Sequence, residues 1–70
     1  MYEISLYKQG LQIGFEVVDS LPEALVSLID AAEREDERVE MQVFNIDSKE
    51  AAIVFMDGNV IEFGKSYFIQ

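Results

Sequence analysis

The chain has no cysteine, no histidine and no tryptophan, and only 1 proline, 4 glycines and 5 basic side chains in 70 residues. Without histidine it lacks the side chain most often recruited as a general base near neutral pH. Without cysteine it has no thiol nucleophile, no disulfide and no soft metal ligand. Its few cations, Lys8, Arg34, Arg38, Lys49 and Lys65, are scattered among nearly three times as many acids. A nucleic-acid binder needs a basic stripe, so direct binding to DNA or RNA is not expected. No run approaches the ~18 apolar residues of a membrane span. The opening Met-Tyr-Glu-Ile-Ser lacks a basic region followed by an apolar core, so no signal peptide is expected and a cytoplasmic location is the default.

What is present is acid and apolar surface together. The chain carries 14 Asp and Glu, a formal net charge of -9, and is 50% hydrophobic. That apolar share is too high for a disordered acidic tail. The length implies one domain over residues 1–70. A domain of this size buries only about 60% of its unfolded surface. With no disulfide or metal as a staple, self-association is one route to added stability.

Alternation over Tyr2 to Tyr7 sets Tyr2, Ile4 and Leu6 on one face and Glu3, Ser5 and Tyr7 on the other. After a turn at Lys8, Gln9 and Gly10, a second alternation places Leu11, Ile13, Phe15 and Val17 against Gln12, Gly14, Glu16 and Val18. The pattern predicts an antiparallel hairpin with Leu11, Ile13, Phe15 and Val17 buried. Ser20-Leu21-Pro22-Glu23 reads as a capping box with proline in the first turn. Leu21, Ala24, Leu25, Leu28, Ile29 and Ala32 then recur at helical spacing, with Asp30 and Arg34 as an i,i+4 pair. The helix is expected to end near Ala32 to Arg34. Val39 to Ile46 reads as a strand whose alternation slips at Phe44 and Ile46, through either a bulge or burial on both sides. Ala51 to Met56 is continuously apolar, as for a central strand. Asp57-Gly58 signals a hairpin into Val60 to Phe63. Gly64 and Lys65 break the run, and Ser66 to Gln70 suits a last short strand. The expected fold is α+β: a mainly antiparallel sheet of about five strands, order β-β-α-β-β-β, with one helix across one face.

No motif carries chemistry. Nothing singles out a catalytic carboxylate pair among so many acids, and no alternating calcium-loop pattern occurs. Gly64, Lys65 and Ser66 resemble the end of a phosphate loop, but the required earlier glycine would fall at Asn59 and no helix follows. The chain is therefore read as non-enzymatic, with no cofactor and no metal site. The denser feature is Glu33, Glu35, Asp36, Glu37 and Glu40, countered only by Arg34 and Arg38. Acids at a helix C-terminus oppose the macrodipole, so they do not serve the helix. They are the first candidates for docking a cationic partner. Glu3, Glu16 and Tyr7, expected on the hairpin face away from the helix, are second candidates, with Tyr7 and Val18 as the seam of a homodimer.

The expected function is that of an acidic protein-binding module, a small inhibitor or regulator that occludes a basic nucleic-acid-binding surface of a larger protein. In size and charge alone the chain is similar to small phage-encoded inhibitors of host defence nucleases, which would place it in a host cytoplasm. The alternatives are a self-associating structural module and a small-molecule-binding domain with a pocket between helix and sheet.

Overall fold

The computed structural model describes residues 1–64 and 66–68. Strands β1 (Tyr2–Lys8) and β2 (Leu11–Val18) form an antiparallel hairpin. The linking Gln9 and Gly10 both adopt positive φ, 52° and 81°, which matches the twist of the flanking strands. Helix α1 (Leu21–Glu35) starts at Ser20, whose extended backbone lets its hydroxyl accept from the Glu23 N–H at 3.4 Å. The Glu23 carboxylate reaches back to the amide of Asp19 at 3.4 Å, one residue before the cap itself. The helix runs slightly beyond its expected end and stops at Asp36, which is left-handed at φ 52° and donates its N–H to the Ala32 carbonyl at 2.9 Å. Aspartate tolerates that conformation better than most residues.

Three strands follow: β3 (Val39–Asn45), β4 (Glu50–Asp57) and β5 (Val60–Phe63). The β3–β4 turn is held by Asn45, whose side-chain oxygen accepts from the amides of Asp47 (2.9 Å) and Ser48 (3.1 Å). The β4–β5 loop is Gly58-Asn59, with the positive φ of 62° at its first position, where glycine is favoured. A two-residue β6 (Tyr67–Phe68) pairs with the start of β4. It realises part of the strand expected over 66–70; residues 69 and 70, like Lys65, lie outside the described residues.

The strands make one antiparallel sheet in the order β2-β1-β3-β4-β5, with α1 on one face: the expected α+β architecture. The core lies between them. Ile4, Leu6, Val39, Met41, Val43, Val54 and Met56 from the sheet meet Ala24, Leu28, Ala31 and Ala32 from the helix. The slip in β3 is not a bulge, because β3 pairs without irregularity with both neighbours; Phe44 faces away from the helix and is half-buried there. Lys49 covers it, its ammonium 5.8 Å from the Phe44 ring centre. Ile46 lies beyond the strand, in the turn.

The bulge is in β2 instead. Tyr7 pairs with Gln12, but Leu6 pairs with Gly14, so Ile13 is an extra residue. One inserted residue exchanges the two faces of the rest of the strand. Up to Gln12 the alternation runs as expected; beyond Ile13 it is reversed. Glu16 and Val18 stand opposite Ile4 and Tyr2 on the helix side, while Phe15 and Val17 stand opposite Ser5 and Glu3 on the outer face. Phe15 is 56% exposed and Val17 52%. The expectation that Phe15 and Val17 are buried is thus overturned, as is that for the exposed Leu11; Ile13 alone of the four packs against the core. Gly14 suits the bulge because a Cβ there would stand 3.3 Å from Leu6 Cδ1.

Candidate functional site

The acids singled out in the sequence fall into three groups, with Glu37 shared by the first two, and Glu16 stands apart. Glu35 and Glu37 are tied to Lys8 at the end of β1, with Nζ to carboxylate distances of 3.1 and 3.6 Å. Glu35 also takes a contact from Arg34 Nε at 3.3 Å, so the expected Asp30–Arg34 pair is not among the ion pairs of the described residues. Glu37 accepts a hydrogen bond from the Gln9 amide. These contacts fasten the end of α1 and the chain after it onto the first hairpin. The hydrogen bond from Lys8, then that from Arg34, holds the Glu35 carboxyl below its usual range, and the same Glu35 contact raises Lys8.

The second group forms a concavity. Glu33, Asp36 and Glu37 at the helix end and Asp57 at the β4–β5 turn line a cleft of about 350 Å³, with Ala32, Gly58 and Asn59. Lys8, on Glu37, is the one cation in salt-bridge contact with any of these four carboxylates among the described residues. Sequence order gave no sign of Asp57 and Asn59 here. They join the site because β4 returns antiparallel to β3 and brings its turn back to the helix end. Among the described residues no group of three or more acids is arranged to hold a metal ion.

The third group lies on the outer face of the sheet. Glu3 and Tyr7 are there as expected, and Glu40 stands beside Tyr7 and Phe55 in one cross-strand row. Tyr7, Arg38, Glu40 and Phe55 line a dish of about 200 Å³, with the Arg38 guanidinium 4.4 Å above the Phe55 ring. Glu16 and Val18 do not belong to this face, because the β2 bulge turns them to the helix side. There Glu16 lines a shallow hollow with Ser27, Asp30 and Arg34, and Val18 packs against the core. Phe15 and Val17 occupy the outer positions that Glu16 and Val18 were expected to hold.

No helix among the described residues is long and apolar enough to cross a membrane. Comparisons with protein-family models, curated proteins and solved structures find no match to the chain.

Proposed function

We propose that the protein is a non-enzymatic binding module that docks its acidic helix end on a cationic surface of a larger protein. The observation that carries this reading is the convergence of Glu33, Asp36, Glu37 and Asp57 on one cleft with Lys8 as their sole cationic contact among the described residues. Fixed carboxylates on a rigid body steer association with Lys and Arg clusters and can replace phosphates against them. A partner that otherwise holds nucleic acid would then be occluded. The test is charge reversal at Glu33, Asp36 and Asp57, which spares the Lys8 ion pairs. Capture of a nucleic-acid-binding partner should weaken with added salt and fall at least about tenfold in the triple Lys variant. Binding unchanged by the reversal would sink the reading.

A second reading, self-association, is favoured by the β2 bulge. It presents Phe15 and Val17 on an outer sheet face that no second layer among the described residues covers, at an edge strand whose eight residues carry one charge, Glu16. A dimer that survives high salt in sedimentation and dissociates on Phe15→Glu supports this reading. A strict monomer at micromolar concentration excludes it.

A further inference from the structure

A helix with its side chains is about 10 Å across, and neighbouring strands are about 4.8 Å apart, so one helix covers about two strands. Helix α1 packs mainly over β3 and β1. To one flank, over β2, the surface is mixed, with Glu16, Ser27, Asp30 and Arg34 beside Leu6 and Ile13. To the other, between α1 and β5, two hollows with no lining residue in common follow one another along the helix, the two ends of one groove. Its first end is an apolar notch of about 210 Å³, walled by Leu21, Leu25 and Phe63 and floored by Met41, Val43 and Val54. Leu21 is 50% exposed and Phe63 73%, a large apolar area to leave in water. Its other end is the acidic cleft of Glu33, Asp36 and Asp57. Half-buried Ile29 and Ile61 fall between the two on the helix and on β5. From Leu25 to Glu33 the helix rises about 12 Å, and from Phe63 back to Val60, which pairs with Asp57, β5 spans about 10 Å. The two walls are similar in length.

We infer that this groove receives an amphipathic, cationic α-helix of a partner protein. Its apolar side chains would fill the notch between Leu21 and Phe63, and its Lys or Arg residues, about two turns away, would face Glu33 and Asp57. The inference rests on the proposed acidic docking and specifies what docks. Charge complementarity selects the occupant: the acids at one end demand cations at matched spacing. A second copy does not meet that demand, since the exposed side of α1 carries Glu23, Asp30 and Glu33 against Arg34 alone.

The probe is a synthetic helical peptide of about sixteen residues with Leu at i, i+3, i+4 and i+7 and Lys grouped about two turns from the first Leu. Its control is a scramble of the same composition. By fluorescence anisotropy the patterned peptide should bind at least about tenfold more tightly than the scramble. Phe63→Ser should erase that preference and leave the scramble unchanged. Because both side chains are half exposed or more, Leu21→Ser serves as an independent second variant, with circular dichroism checking the fold. Reversal to Lys at Glu33 and Asp57 should weaken both peptides. Equal binding of the two peptides, or a preference that survives both serine variants, overturns the groove while leaving the acidic docking intact if charge reversal still weakens them. No effect of charge reversal on either peptide overturns both.

Discussion

Lys8 is the cation on which the helix end depends, since its ammonium holds Glu35 at 3.1 Å and Glu37 at 3.6 Å across two elements. The effects on pH dependence have opposite signs at the two ends of the scale. Glu35 is lowered, so its contribution is full above the unfolded carboxylate range, about pH 4.3, and is lost as pH falls through its folded value. Lys8 is raised, so its contribution is full below about pH 10.4 and is lost as pH rises through its folded value. Lys8→Met should therefore lower the urea midpoint between about pH 5 and pH 9, and the deficit should shrink below about pH 4. The pairs are partly exposed, so the deficit is small. A deficit equal at pH 3 and pH 7 would show that the ion pairs contribute nothing. Of the other described side-chain cations, Arg34 also contacts Glu35, while Arg38 lies over Phe55 and Lys49 over Phe44 on the outer face. That leaves the cleft acids beyond Glu37 without salt-bridge partners among the described residues, which is why charge reversal there is informative.

At the scale of the element, the hairpin shows how far a pattern can be trusted. Phe15 and Val17 alternate with polar neighbours as buried residues do, yet the extra Ile13 sends them outward. Replacing Phe15 with Thr should then cost less than about 1 kcal/mol by chemical denaturation, within the usual range for exposed sites. Ile4→Ala, deep in the core on the next strand, should cost about 2–5 kcal/mol. A cost for Phe15→Thr as large as that for Ile4→Ala would refute the bulged register. Elements whose signals are local were legible from the residues: the cap at Ser20, the apolar stripe of α1, the faces of β1, the loop at Gly58. Register was not, because a bulge is decided by what the strand meets across the sheet. The one local hint was Gly14, a glycine in a strand interior, which often marks a bulge or a close approach. The acidic cluster was legible as composition. Its division was not, since Lys8 and Asp57 reach it only through strand pairing.

For the whole molecule, acid outweighs base and no polar or charged side chain among the described residues is buried. Charge is kept at the surface and the core is wholly apolar, so partner recognition and folding draw on separate residues. The cleft acids can be reversed in sign without touching Leu28, Met41 or Ile4, the centre of the core.

The order β2-β1-β3-β4-β5 has a consequence for how the polypeptide is assembled. Every strand pair except β1–β3 is made within the first 35 residues or after residue 38, and the backbone passes between these portions once, at 36–38. Each portion is a contiguous stretch of chain that closes its own hairpins, yet neither encloses a core without the other. Severing the backbone at this crossing should yield two pieces that are unfolded alone and reconstitute when mixed, with native circular dichroism recovered near equimolar ratio. Pieces that fold separately, or that ignore one another, would mean that the β1–β3 ladder is not the seam on which the two portions depend.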